Sequence, residues 1–166
     1  MFTSIASFEA SWLHETQGTQ RVMDALTDES LKQTIAPNHR PLGQLAWHIT
    51  TSIHEMLSRT GLTFPAAGED EKAPASAAVI AEAYRTSSAA VLAAVKEQWT
   101  DETLLKTANM YGDEWPNGLT LHILIMHEVH HRGQMTVLMR QAGLRVPGLY
   151  GPSREEWIEQ GMEPLL

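Results

Sequence analysis

The chain has 166 residues, with 20 acidic against 12 basic side chains for a formal charge of −8, and no cysteine. Its length suits one domain, expected over residues 1–166, and 43% apolar against 19% charged residues excludes a disordered chain. Without cysteine there is no disulfide framework, no thiolate metal site and no cysteine nucleophile. Without a Lys/Arg cluster there is no basic footprint for nucleic acid.

The first segment, Ile5 to Leu31, carries Phe8, Trp12, Val22, Met23 and Leu26 at helical spacing and is predicted as a helix. Pro37-Asn38-His39-Arg40-Pro41 breaks the pattern. A second helix is predicted from Pro41 to Arg59, with a broad apolar stripe through Leu42, Leu45, Ala46, Ile49, Ile53, Met56 and Leu57, ended by Gly61. Thr63 to Pro74, with Glu69-Asp70-Glu71-Lys72, reads as a loop. An alanine-rich third helix is expected from Ser76 to Trp99.

Thr103 to Gly118 holds the turn signals Gly112-Asp113 and Pro116-Asn117-Gly118. A connection that long is expected to cover something functional. The fourth helix, Leu119 to Ala142, is closed by Gly143, and a short helical turn is expected at Ser153 to Gln160. No convincing alternating strand is found, so the expected fold is all-α: a four-helix bundle with a long connection before its last helix. The N-terminus lacks the basic and apolar regions of a signal peptide. Apolar runs such as Leu121–Met126 fall far short of the ~20 residues of a membrane span. A cytoplasmic protein with no membrane partner is the expectation.

Eight histidines stand out beside the missing cysteines, and four of them (His122, His127, His130 and His131) fall within residues 122–131. On a helix, His127 and His131 are about 40° apart and lie one above the other. Thr120, Leu124, Gln134 and Leu138 share that direction, so two imzidazoles face a partly apolar stripe that should point inward and can reach one cation. The alternative is that the histidines are simply satisfied by hydrogen bonds in a plain helical protein. His130, about 60° to the other side, is a bystander or an i+3 partner of His127. A third ligand is needed, and His14, His48 and His54 all lie on other segments. The pattern alone does not choose among them.

His127-Glu128-Val129-His130-His131 also matches the H-E-x-x-H string of zinc metalloproteases, with Glu128 as base and Glu155 or Glu156 as third ligand. The extended protease pattern and a strand to bind substrate are both missing, so this reading is set aside. Glu128, about 100° from His127, reads as a surface residue or a partner to another helix. Arg132, about 140° away, is expected to meet solvent or the next segment. Gln134 is expected to bond a ligand or a neighbouring helix, and Glu55, on the His48 side of its helix, is read as a solvated charge, with fixing of an imidazole tautomer as the alternative.

Leu45-Ala46-Trp47-His48-Ile49, then His127 to Gln134 with the pattern H-x-x-x-H-R-G-Q, then Pro147-Gly148-Leu149-Tyr150-Gly151-Pro152-Ser153, together resemble the DinB-like (DinB/YfiT) superfamily. The resemblance implies an antiparallel four-helix bundle, a homodimer, and a divalent metal on three histidines, here His48, His127 and His131. It implies a small-molecule substrate and includes thiol S-transferases that use low-molecular-weight thiols. The expected function is a metal-dependent S-transferase or hydrolase whose catalytic groups are not assigned. The alternative is a non-enzymatic metal-binding stress or dimerisation module. The metal would be zinc, nickel or iron, all of which suit imidazole.

Overall fold

The structure is a computed structural model that describes residues 1–67 and 72–164. The expected acidic loop stretch Glu69-Asp70-Glu71 lies outside the described residues. Four long helices, α1 (Ile5–Asp24), α2 (Leu42–Ser58), α3 (Ala77–Gln98) and α4 (Asn117–Gln141), are followed by a short α5 (Arg154–Glu159). Helix α2 packs on α4 and α3, and α1 packs on α3 and α4. Phe8, Trp12, Ile53, Tyr84, Val91, Leu121 and Met135 are buried in one core. By length and composition α3 could pass for a membrane span, unlike the Leu121–Met126 run. Its Ile80, Tyr84, Val91 and Val95 are instead fully buried in that core.

Helix α1 ends at Asp24, seven residues before the predicted end at Leu31, because Thr27 and Ser30 cap one another. The Thr27 N–H donates to Ser30 Oγ (3.0 Å) and the Ser30 N–H to Thr27 Oγ1 (3.2 Å), a local arrangement that competes with helix. A short 3-10 turn, Ser30–Lys32, follows.

The expectation of no strands is corrected. Within the long connection, β1 (Thr107–Met110) and β2 (Asp113–Pro116) pair antiparallel, with Met110 opposite Asp113. Tyr111 and Gly112 turn the hairpin with φ of 60° and 102°, the conformation that two-residue hairpin turns require. The chain start is tied to the far side of this connection. The Phe2 N–H donates to the Gly118 carbonyl (3.0 Å) and the Ile5 N–H to Asp101 Oδ1 (2.7 Å). A Cβ at Gly118 would sit 2.1 Å from the Phe2 carbonyl oxygen, so this approach needs glycine.

Helix α4 is held on its back by buried polar groups. Glu128 Oε1 accepts from Thr19 Oγ1 of α1 (2.6 Å) and Tyr84 OH of α3 (2.8 Å). Arg132, expected in solvent or against the next segment, is only 2% exposed. It pairs with Glu15 (2.6 Å), donates to Thr19 Oγ1 and to the Glu15 carbonyl, and reaches Tyr150 OH in the tail (2.6 Å). Gly18 makes room for it, since a Cβ there would lie 3.2 Å from the guanidinium. Removing one partner of such a pair leaves the other charge buried. Arg132→Ala is therefore expected to cost about 3–5 kcal/mol in urea denaturation; a loss below about 1 kcal/mol would reduce the pair to the worth of a surface bridge.

Helix α5 docks through exposed pairs, Arg140 with Glu155 and Arg145 with Glu159. The Arg140 guanidinium holds the Glu155 carboxyl down at about 2, from an ordinary 4.5. A carboxyl lowered on folding supports the docked tail above pH 4.5 and gives that support up as pH falls toward about 2. An NMR titration of the Glu155 carboxyl should have its midpoint near 2; a midpoint at its ordinary 4.5 would show the pair is not formed in solution.

Candidate metal centre

Helices α2 and α4 place three imidazoles together. His48 lies midway along α2, flanking the buried Ala46, Trp47 and Ile49. His127 and His131 lie one turn apart on α4, on the stripe with Thr120, Leu124 and Leu138, all three of which are buried. One ring nitrogen from each of His48, His127 and His131 falls within 4.8 Å of the others. Ring centroids are 4.5 Å apart for His127 and His131, 4.9 Å for His48 and His127, and 4.7 Å for His48 and His131. The i,i+4 spacing thus does what helix geometry predicts, and the packing of α2 on α4 supplies the third ring.

The other candidates lie elsewhere. His14 is exposed beside Tyr150, and His54 meets the edge of Phe64. His130 is exposed; its ring meets the His131 ring edge-on at 4.9 Å, and Gln134 bonds both. Gln134 Oε1 accepts from His131 Nδ1–H (2.9 Å) and its amide donates to His130 Nε2 (3.0 Å). That bond fixes the His131 tautomer and leaves its Nε2 lone pair free for a ligand, the usual task of a partner behind a metal-binding histidine. Gln134 therefore orients a ring rather than bridging to another helix. Ser52 Oγ lies 3.4 Å from His48 Nδ1 and can do the same more weakly.

The rings are held uncharged. Burial lowers His48 to about 4, helped by the charges of Arg40, His127 and His131. Burial also lowers His127 to about 4, with His131, His130 and Arg40 adding to it. His131 is lowered by burial too, against the Gln134 hydrogen bond. Neutral imidazole is the metal-binding form. His48 Nε2 and His127 Nε2 are 3.1 Å apart, close to the separation of about 2.9–3.4 Å for two nitrogens each 2.0–2.1 Å from one ion. Donor type, charge state and spacing all fit a divalent transition metal.

Glu128 does not face this site. Its Oε1 is bonded to α1 and α3, and Oε2 is buried without a hydrogen-bond partner among the described residues. It is the inter-helix partner of the sequence reading and not a base beside the histidines. Glu155 pairs with Arg140, and Glu156 caps α5 and bonds the Gly148 N–H. The geometry of the protease string is therefore absent.

The long connection does reach the site's neighbourhood. The Tyr111 hydroxyl at the hairpin tip donates to Glu55 Oε2 (2.7 Å), and Arg59 binds Glu55 Oε1 while stacking 4.7 Å over the Tyr111 ring. Glu55, expected to be simply solvated, anchors the hairpin on α2, and its charge opposes the lowering of His48 and His127.

The DinB family model matches residues 1–162. YrdA of Bacillus subtilis is 50% identical over 163 residues, 98% of each chain. YjoA of the same organism is 26% identical over 102 residues, 60% of this chain and 66% of that one. The crystal structure of a DinB-like protein from Bacillus cereus, 50% identical, superposes with a TM-score of 0.88 over 90% of this chain and all of that one. The YjoA crystal structure, at 19% identity, gives a TM-score of 0.67 over 86% of this chain and 97% of that one, a likeness of fold.

Elemental analysis of protein purified without a histidine tag should find about one divalent ion per chain. His48→Ala, His127→Ala and His131→Ala should each lose it, and His130→Ala should keep it. Gln134→Ala should weaken affinity about 10–100-fold. Full metal content in the three ligand variants would refute the site.

Proposed function

The chain belongs to the DinB family, and from that premise we propose that it is a divalent-metal-dependent enzyme acting on a small molecule as a thiol S-transferase or hydrolase. The observation that carries the proposal is the convergence of three uncharged imidazoles from α2 and α4. In the same reading the four long helices form one antiparallel four-helix bundle domain, and the protein is a cytoplasmic homodimer. The bound ion, zinc, nickel or iron, would contribute Lewis acidity and bring the pKa of a thiol or of water toward neutrality.

The chain's own residues set the conditions for that chemistry. Gln134 and Ser52 hold the rings in place from behind. Three neutral ligands leave the ion's charge undiminished. With no cysteine in the chain, a transferase must take its thiol from solution, which is why a low-molecular-weight thiol is the proposed co-substrate.

Metal-loaded protein is expected to accelerate attack of an added thiol on a chromogenic aryl halide, or hydrolysis of a chromogenic ester, above the rate of equimolar free metal. His127→Ala should return either rate to that background. Stoichiometric metal with no rate above background for thiol or water would instead make the chain a non-enzymatic metal-binding module.

A further inference from the structure

A cavity of about 380 Å3 opens beside the histidine cluster, lined by Ile35, Leu45, Val137 and Leu138 together with His39, Arg40, His131 and Gln134. Its size is within the usual range for small-molecule sites. Two of its apolar walls are unusual for a water-facing surface. Ile35 is 52% exposed and Val137 51% exposed, although both are large and apolar. Leu45 and Leu138 behind them are buried.

Arg40 is the one arginine or lysine that lines this cavity, and among the described residues it has no carboxylate partner. Arg59, Arg85, Arg132, Arg140 and Arg145, by contrast, each pair with a carboxylate. The segment that presents Arg40 is closed at its base by the Leu42 N–H donating to the Gln33 carbonyl (2.8 Å), and its Asn38 adopts a left-handed φ of 63°. Arg40 lines the same cavity as His131, and its charge lowers all three imidazoles. A guanidinium lining the same cavity as a metal-binding ring gives an anionic guest a point of attachment beside the cluster.

We propose that this cavity binds a small monocarboxylic acid, with the carboxylate on Arg40, the apolar body against Ile35, Leu45, Val137 and Leu138, and the remaining end directed at the His131 side of the cluster. A guanidinium offers the planar fork that fits a carboxylate. One cation in a chain of net charge −8 favours a single negative charge over a multiply charged phosphate ester. The use of this acid as the substrate of the proposed reaction rests on the metal reading above, whereas its binding to Arg40 does not.

The test uses hexanoate and its neutral counterpart hexanamide, with binding followed by calorimetry on chelator-stripped full-length protein and again after zinc loading. Metal-free protein should bind hexanoate about tenfold more tightly than hexanamide. Arg40→Gln should abolish that preference without changing hexanamide binding, and Arg40→Lys should restore part of it. Val137→Asp should weaken both ligands. Arg40 and Val137 are exposed, so circular dichroism of these variants should match the parent protein. Equal binding of the two probes, or a preference that survives Arg40→Gln, would overturn the proposal. So would hexanoate binding that requires zinc and is lost in His127→Ala but kept in Arg40→Gln, since the carboxylate would then sit on the metal. Variants that change the sedimentation mass and leave probe binding intact would make this face a contact between copies of the chain and also overturn it.

Discussion

The structure depends on two buried polar side chains behind helix α4. Glu128 and Arg132 sit one turn apart, as His127 and His131 do, but about 100° round the helix from them. Glu128 is bonded to α1 and α3, and Arg132 to α1 and the tail. A buried hydrogen bond tolerates little displacement, because misaligned partners leave a desolvated polar group unpaired. These bonds therefore fix the rotation of α4 about its axis more sharply than apolar packing alone. That rotation aims His127 and His131 at α2, so the back of the helix sets the geometry of its front.

The electrostatics divide along the same line. Behind α4, Arg132 is matched by Glu15 and Glu128 is held by two hydroxyls within the fold. In front, burial keeps the three rings neutral, with Arg40 on one side and Glu55, tied up by Arg59 and Tyr111, on the other. An uncharged donor set with a free cation to one side is suited to a guest that brings a metal ion and an anion together. An ion-pair network there would instead have satisfied itself.

The late histidine pair was legible because helical periodicity is a local property, and i,i+4 spacing on an apolar stripe carries its own direction. His48 was not legible from pattern, since its ring flanks the α2 stripe and its meaning comes from which helix lies opposite; the family resemblance singled it out. Glu128 was read as an inter-helix partner from its angle. Arg132 meets the next segment through Tyr150 as expected, but its burial was not legible because an arginine has no local mark of it. Its partners Glu15 and Tyr150 are 117 and 18 residues away, and the clue was Gly18 in the middle of α1. The hairpin was missed because Thr-Ala-Asn-Met and Asp-Glu-Trp-Pro are too short and polar to alternate, although the turn at Gly112-Asp113 was marked. The early end of α1 depends on two hydroxyls capping each other, which propensity does not reveal.

The tie between Phe2 and Gly118 has a consequence for how the chain acquires its shape. The residues that start α1 are anchored by groups more than half the chain length away, and the α1 face reserved for Arg132 is complete only once α4 exists. Contacts of such sequence separation cost loop-closure entropy before they return any stability, and they slow folding relative to helical proteins built from neighbouring pairs. On the ribosome, α1 emerges before α4 and has neither its N-terminal anchor nor its buried ion-pair partner until α4 has been made. Its apolar face, with Phe8, Trp12 and Val22, is then the part of the nascent chain most exposed to misassembly.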